Sequence, residues 1–124
     1  MNRHKFRFWL RDSKKWVVMS KDPQLAYEFL VMNYYNLFEG RNIVANQWAG
    51  VKDIRCVDIY EHDLVEYYDH NRIKTIGEVF FNKEELSYEL TRPGYEPYRL
   101  SFIMKKSQVR VISNIYETPD LLKL

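Results

Sequence analysis

The sequence has little of several features that mark common protein classes. It contains one cysteine, Cys56, so it cannot form an internal disulfide. No apolar run approaches the roughly 18 residues that a membrane-spanning helix requires. The N-terminal segment mixes basic with apolar residues and lacks the uninterrupted apolar stretch of a signal peptide. We therefore expect a cytoplasmic protein in a reducing compartment, with no membrane partner.

Glycine, proline and net charge are limited as well. The four glycines and four prolines form no glycine-rich phosphate loop and no low-complexity linker. The 19 Lys and Arg residues oppose 17 Asp and Glu residues, and a net charge of +2 does not by itself indicate nucleic acid or a membrane. No paired-cysteine motif and no nucleophile elbow is present. The sequence therefore carries no signature of an enzyme or of a cofactor site.

Apolar and aromatic side chains are abundant by contrast. Hydrophobic residues make up 46% and aromatic residues 16% of the sequence, enough to fold one domain over residues 1–124. Residues 5–11 alternate in polarity, which predicts a strand with Phe6, Phe8 and Leu10 on its inner face. After a polar turn, residues 16–19 predict the return strand of an N-terminal hairpin.

One helix is predicted, from residue 23 to about residue 38. Asp22 suits the N-cap, Pro23 suits the first helical position, and Gly40 is placed to end the helix. The residues predicted on its inner face are Leu25, Phe29, Met32 and Leu37. The ring-rich residues 34–38 fit a strand equally well.

The rest of the chain predicts short strands separated by turns. The predicted strands cover residues 43–49, 64–68, 78–81, 86–90, 98–104 and 109–116. Thr118 and Pro119 predict a short C-terminal helical turn. Seven or eight short strands indicate a barrel or sandwich, so the predicted fold class is mainly β with minor α.

Four stretches, taken in order, resemble the YopX family of phage and prophage proteins. They are Lys-Phe-Arg-Phe-Trp at 5–9, Gln-Trp-Ala-Gly-Val-Lys-Asp at 47–53, Asp-Ile-Tyr-Glu-His-Asp-Leu-Val at 58–65, and the segment at 111–122 that contains Asn-Ile-Tyr-Glu-Thr-Pro-Asp-Leu. The resemblance implies an SH3-like barrel element and a phage or prophage origin, and it implies no enzyme activity, cofactor or catalytic residue. His62 and Ser113 stand where the family usually has glycine, so a positive φ at His62 would cost more than at glycine.

An acidic cluster is the first candidate site. Five acids and two histidines fall within residues 58–70 without an intervening Lys or Arg. The candidate residues for metal-assisted hydrolysis are Asp58, Glu61, His62 and Asp63, because carboxylates and imidazoles bind divalent metals and transfer protons. Their spacing matches no metal motif, and Asp63 is placed to bond turn amides before a strand. We favour the structural interpretation.

The basic face of the first strand is the second candidate site. Its residues are Arg3, Lys5, Arg7, Trp9 and Arg11. Interleaved cations and a ring suit phosphate contacts and base stacking, so nucleic-acid binding is one interpretation. A solvated strand face that keeps charge to prevent sheet pairing explains the same pattern, and we favour it. This basic segment also has the charge to pair with the acidic cluster, within the fold or between copies.

The aromatic residues are more numerous than a small β core needs, with 10 Tyr, 7 Phe and 3 Trp. Neither Tyr34–Tyr35 nor Tyr67–Tyr68 can place both rings inward on a regular strand, so some rings are expected at the surface. Exposed rings favour an interface, while shielding by the helix or by residues 93–97 is the alternative.

Two residues outside these candidate sites are assigned structural roles. Cys56 is expected to be a small buried side chain, and Asn114 is expected to bond backbone near the final turn. The leading hypothesis for the whole chain is a non-enzymatic binding module. We expect it to form a homo-oligomer or to bind an unidentified protein or nucleic acid.

Overall fold

The computed structural model describes residues 5–38 and 41–123. With 42% strand and 21% helix, the structure confirms the predicted mainly β class with minor α. The elements are β1 (Phe6–Leu10), β2 (Lys15–Val18), α1 (Pro23–Tyr34), β3 (Ile43–Lys52), β4 (Asp58–Tyr60), β5 (Asp63–Tyr68), β6 (Lys74–Asn82), β7 (Ser87–Thr91), β8 (Tyr98–Arg99), α2 (Leu100–Lys106), β9 (Arg110–Asn114) and a 3-10 helix (Pro119–Lys123). Within the described part of the chain, none of the helices has the length and apolarity to cross a membrane. The chain divides into two compact units, Met1–Trp48 and Ala49–Leu124.

The first unit is built on the predicted N-terminal hairpin. β1 and β2 pair antiparallel from Arg7 opposite Val18 to Leu10 opposite Lys15. Lys14, at φ 54°, closes the turn by donating its N–H to the Leu10 carbonyl at 2.8 Å. β3 pairs antiparallel with the other edge of β1, so β1 is the central strand of this unit.

Helix α1 packs on the inner face of these strands. The buried side chains are Phe8, Val17, Ala26 and Phe29. The rings of Phe8, Phe29 and Phe38 contact one another edge to face, with centroids 5.5–6.0 Å apart. Offset and edge-on ring pairs of this kind add to the free energy that area burial supplies.

The ends of α1 differ from the prediction. Asp22 makes no side-chain cap; its carbonyl accepts the Ala26 N–H at 2.9 Å instead. The helix ends at Tyr34, and the turn after it brings Phe38 inward, whereas Leu37 is 52% exposed. Placing Leu37 on the inner face was therefore wrong, because the helical period does not extend past Tyr34. Gly40 lies outside the described residues.

The second unit is a five-stranded antiparallel sheet that curls into a half-barrel, in the order β8-β7-β6-β5-β9. The predicted hairpin of β6 and β7 is confirmed, with Asn82 opposite Ser87 at its closed end. The core cluster contains Ile59, Val65, Tyr67, Val79, Leu90, Leu100, Ile103 and Val109. The predicted C-terminal helical turn is the 3-10 helix.

One strand prediction was wrong, and another strand is longer than predicted. Residues 98–104 are extended only at Tyr98–Arg99 and then form α2, which buries Leu100 and Ile103 in the core. Leu100 and Ile103 are three residues apart, a helical spacing that a short apolar run does not distinguish from a strand. β3 continues beyond residue 49 to Lys52, and it passes through Gly50 at φ 86°.

Several turns place non-glycine residues at positive φ. In the described part of the chain these residues are Lys14, Asn36, Cys56, His62, Arg72 and Leu86. The turns of the last four also contain an Asp or Asn whose side chain accepts backbone N–H groups; these residues are Asp53, Asp63, Asp69 and Asn82. Side-chain oxygens thereby hold turns that glycine would otherwise make easier.

Asp53 is the most connected of these acceptors. Its Oδ1 accepts the N–H groups of Arg55 at 2.8 Å and Val57 at 2.9 Å, and its Oδ2 accepts the Val111 N–H at 2.9 Å. Burial raises the pKa of the Asp53 carboxyl, but the N–H groups of Val111, Val57 and Arg55 outweigh burial and hold the pKa below its usual value of 3.8. The carboxylate thus fixes the 53–57 loop and ties it to β9.

We predict that Asp53→Asn lowers the free energy of unfolding at pH 7 by about 2 kcal/mol, because an amide keeps one acceptor oxygen and turns a donor toward an N–H group. The folded pKa lies below the unfolded one, so the carboxylate's contribution is complete above a pH of about 3.8 and is lost as the pH falls through the folded pKa. Urea unfolding between pH 7 and pH 2.5 should show the two proteins converging in acid. Asp120→Asn, at an exposed position, is the control, and a difference that is independent of pH would contradict the assignment.

Candidate functional site

The most exposed rings of the first unit lie on α1 and directly after it. Tyr27 is 62%, Tyr34 79% and Tyr35 65% exposed, and Val31 is 39% exposed. Positions 27, 31, 34 and 35 follow the i, i+4, i+7, i+8 spacing of one helix face. We call these four residues the aromatic stripe.

The aromatic stripe has almost no charge around it. Between residues 23 and 38, Glu28 is the only charged residue in the sequence. A helix on the surface of a globular protein normally turns a charged face to water. Helix α1 instead has an apolar inner side in the core and an outer side on which exposed rings lie next to Gln24 and Glu28, and exposed rings of this kind are typical of an interaction surface.

A groove lies beside the aromatic stripe. It has a volume of about 360 Å³ and is lined by Phe6, Leu30, Val31, Asn33 and Tyr34. Among the described residues of that lining, Asn33 and the hydroxyl of Tyr34 supply the polar side-chain atoms. The Tyr34 and Tyr35 rings stand edge to face with centroids 5.1 Å apart. Helices pack on one another by placing ridges of side chains into grooves, and this surface has a ridge of rings next to an apolar groove.

The sequence identified part of this surface. The expectation that neither Tyr pair can be wholly buried is confirmed, since Tyr34, Tyr35 and Tyr68 are exposed while Tyr67 is 3% exposed. Tyr27 and Val31 were missed. The signal that would have found them is the single charge among sixteen helical and turn residues.

The basic face of β1 is more enclosed than the sequence indicates. Trp9 is 6% exposed, so its predicted position on the solvent side is wrong. It lies opposite Trp16 on β2, and the two ring centroids are 4.9 Å apart. The alternation of polar and apolar residues assigns Trp9 to one face of the strand. It does not indicate how far neighbouring side chains cover that face. Arg11 is exposed, and Arg3 lies outside the described residues.

The two cations of this face that precede Trp9 are packed on tryptophan rings. The Lys5 ammonium lies 5.0 Å from the Trp48 ring centroid, and the Arg7 guanidinium lies 4.2 Å from that of Trp16. Arg7 also donates to Oδ1 of the fully buried Asn46 at 3.2 and 3.3 Å. Cation–π contacts within the sheet therefore account for the interleaving of charge and rings.

The acidic cluster is divided among separate contacts. Asp58 pairs with Lys52 at 3.1 Å, and Asp63, which is 1% exposed, accepts the Tyr60 N–H at 2.8 Å. The structural interpretation of Asp63 agrees with this geometry. Glu61 is half-buried in the same turn, and its charge adds to burial in raising the pKa of Tyr88 to about 12.

The histidine of the cluster pairs across strands. His62 Nδ1 lies 2.7 Å from Oε2 of Glu78, the residue that faces Leu64 across the sheet. Within residues 5–38 and 41–123, no three His, Cys, Asp or Glu side chains are arranged to hold a metal ion. The adjacency of these acids along the chain therefore does not become a convergent set of ligands in the structure.

Two structural assignments made from the sequence have different outcomes. Asn114 accepts the N–H groups of Tyr116 at 3.1 Å and Glu117 at 3.0 Å, as expected for a residue at the final turn. Cys56 is exposed, so its predicted burial is wrong. It occupies the positive-φ position, at 64°, of the turn that Asp53 holds, and this turn is at the surface.

The comparison with protein families agrees with the four stretches of resemblance. The family model described as YopX protein matches residues 5–123. This chain belongs to the YopX family. No curated protein is similar enough to the chain to be matched.

Two solved structures share the fold of this YopX family member. The crystal structure of protein EF1440 from Enterococcus faecalis is 17% identical, with 95% of this chain and 96% of that chain covered and a TM-score of 0.59. The X-ray structure of protein YopX from Bacillus subtilis is 14% identical, with 98% of each chain covered and a TM-score of 0.56. At these identities the likeness shows a common fold.

The two departures from the YopX pattern are accommodated locally. His62 has a φ of 70°, so it takes the left-handed conformation that a usual glycine would adopt at less cost. The contact of its Nδ1 with Glu78 and its backbone N–H bond to the Val79 carbonyl hold that conformation. Ser113 accepts the Thr118 hydroxyl at 2.6 Å, which links β9 to the C-terminal turn.

We predict that Trp9→Ala lowers the free energy of unfolding by about 3 kcal/mol, because a large buried ring is removed. Arg11→Ala, at an exposed position directly after the same strand, should change it by less than about 0.5 kcal/mol. Chemical denaturation measures both. A Trp9→Ala protein that is as stable as the wild type but loses affinity for a single-stranded oligonucleotide would instead favour the nucleic-acid interpretation.

We predict that Asp63→Ala destabilises the protein by about 2 kcal/mol, since the Tyr60 N–H loses a charged acceptor in a buried turn. Asp58→Ala removes a carboxylate whose partner Lys52 is exposed, so its effect should stay below about 1 kcal/mol. Thermal and urea unfolding test this ordering. Stabilisation by Asp63→Ala would contradict the structural role, because relief of strain is typical of a functional site.

Proposed function

We propose that this protein is a non-enzymatic binding module of phage or prophage origin that self-associates through the aromatic stripe of α1. The observation that carries the proposal is the exposure of Tyr27, Tyr34 and Tyr35 on a helix segment with one charge. Tyr is favoured at interfaces because a stiff ring supplies contact area at a small cost in side-chain entropy.

The chemistry of the stripe favours a second copy of the chain as the occupant. Nucleic acid and anionic membranes are bound through Lys and Arg, and Glu28 is the only charged residue in this segment. A second stripe has the same apolar composition, and two-fold pairing places like on like without opposing charges at its centre. The groove beside the stripe offers each copy a place for a ring of the other.

The area of the stripe sets the strength of the association. From their exposed fractions, the three tyrosine side chains present about 400 Å² of surface per copy. Pairing two copies then covers about 800 Å², below the roughly 1,200 Å² of a standard stable interface. The proposed dimer is therefore in a concentration-dependent equilibrium with the monomer.

The positions of the acids support a role without catalysis. Asp53, Asp63 and Asp69 each accept backbone N–H groups in turns, and Glu66 pairs with Lys74 across the sheet at 3.3 Å. These carboxylates serve the fold, and a catalytic acid would need access to a substrate as well.

We predict that the weight-average mass rises above the monomer's 15.2 kDa as concentration increases, and that Tyr27→Gln with Tyr34→Gln abolishes the rise. Replacing the rings with neutral polar side chains removes apolar area without adding charge or weakening the helix. Sedimentation velocity at increasing concentrations measures the masses. Tyr68→Gln, which changes a 51% exposed ring on β5, is the matched control and should still associate.

Two outcomes contradict the proposal. The first is a wild-type protein that stays monomeric up to the millimolar range. The second is association that the Tyr27→Gln, Tyr34→Gln protein retains although its melting temperature is unchanged. Nucleic acid that co-purifies and is removed by salt would transfer the binding role to the basic face of β1.

A further inference from the structure

A separate cavity lies in the second unit, between the β5–β6 turn and the segment that leads from β7 to β8. Its volume is about 270 Å³. The lining residues that matter for its chemistry are Tyr67, Asp69, His70, Arg92, Tyr95 and Tyr98. Neither candidate site of the sequence analysis includes Arg92 or the three tyrosines, and the self-association proposed above does not use this cavity.

Tyr67 is a buried residue that lines the cavity. The residue is 3% exposed, and its ring packs on Gly77, where an added Cβ would lie 3.1 Å from Cε1 and 3.3 Å from the hydroxyl. None of residues 5–38 and 41–123 forms a hydrogen bond with the Tyr67 hydroxyl. Burial raises the pKa of this phenol, so it stays protonated and able to donate. Tyr67 lines the cavity, so a group bound there can accept the hydrogen bond of its hydroxyl.

Other polar groups surround the same space. The Tyr98 hydroxyl lies 2.5 Å from Nδ1 of His70, and the Arg92 guanidinium lies 5.2 Å from the Tyr95 ring centroid. Besides burial, Tyr98 and Asp69 raise the pKa of Tyr67 and Arg92 lowers it, and all three residues line the same cavity. The cavity thus combines phenol and guanidinium donors with the face of a ring.

The two carboxylates at the cavity, Asp69 and Glu96, differ in their hydrogen bonds and in their exposure to water. Asp69 Oδ1 accepts the N–H groups of Asn71 at 2.8 Å and Ile73 at 3.0 Å, and its Oδ2 accepts the Thr75 hydroxyl at 3.5 Å. The Ile73 N–H is the main cause that holds the pKa of Asp69 below its usual value. These bonds hold the Asp69 carboxylate against its own loop, but its charge adds to burial in raising the pKa of Tyr67, so Asp69 opposes an anion that Arg92 attracts. Glu96 is exposed at the rim, so water screens its charge.

We propose that this cavity binds the oxyanion head group, carboxylate or phosphate, of a small aromatic molecule. Tyr67 and Arg92 donate to the oxyanion, and the Tyr95 ring packs on the aromatic body. Guanidinium and phenol are the donors that suit such oxygens, and the volume matches one ring with its head group.

A series of probes with one body and different head groups tests the charge preference. Benzoate, phenyl phosphate, benzamide and benzylammonium are titrated separately into the full chain, and amide chemical shifts are followed by NMR. Binding of benzoate or phenyl phosphate at residues 67–75 and 92–98, at least about tenfold tighter than benzamide, supports the proposal. The tighter of the two anions identifies the head group as carboxylate or phosphate.

Two variants connect binding to the named donors. Tyr67→Phe removes only the hydroxyl and should weaken the preferred anion about tenfold, and Arg92→Gln at the rim should weaken it by a similar factor. Tyr68→Phe changes the next ring of β5, which does not line the cavity, and should leave affinity unchanged. Equal binding of benzamide, tighter binding of benzylammonium, or no shift with any probe at 10 mM overturns the proposal. Should Tyr67→Phe unfold, unchanged affinity of Arg92→Gln would also overturn it.

Discussion

The backbone N–H groups of tight turns need acceptors, and this requirement organises the second unit. With only four glycines in the chain, several of its turns place other residues at positive φ. Asp and Asn side chains satisfy the N–H groups of those turns, and Asp53 also reaches across to β9. Because Asp53, Asp69 and Asn82 each accept hydrogen bonds from two or three donors, a turn with an unfavourable φ becomes part of a cooperative hydrogen-bonded unit.

The same requirement explains why the middle of the sequence resembles a catalytic cluster. Short carboxylates are the best acceptors for turn amides and are also common catalytic groups, so composition cannot separate the two uses. Asp63 is the first residue of β5, and Asp69 directly follows the last. A strand that lies between two turns therefore keeps their acids close in the sequence but places them at opposite ends of the strand in the structure.

The sequence predicted those parts of the fold that local patterns determine. The first hairpin, β5 and the β6–β7 hairpin follow from period-two alternation and turn residues, and Asn114 follows from its place beside a turn. The sequence did not predict α2, because the spacing of Leu100 and Ile103 fits a helix and a strand equally well. Their burial against the neighbouring strands is a tertiary contact. The burial of Trp9 depends on the Trp16 ring, and the exposure of Cys56 depends on the Asp53 turn. Contacts of this kind are not contained in the pattern of one strand.

Some aromatic residues of the first unit lie in its core and others lie at its surface. Phe8, Phe29 and Phe38 form the edge-to-face contacts of its core, so the inner side of α1 already supplies the burial that the helix needs. Tyr27 and Tyr34 add little to that core, and Lys or Glu would suit an exposed helix position equally well and increase solubility. Their presence on the outer side is not explained by the core contacts of Phe8, Phe29 and Phe38. It is consistent with a surface that is covered when the protein associates, which gives α1 a reason to be apolar on both sides.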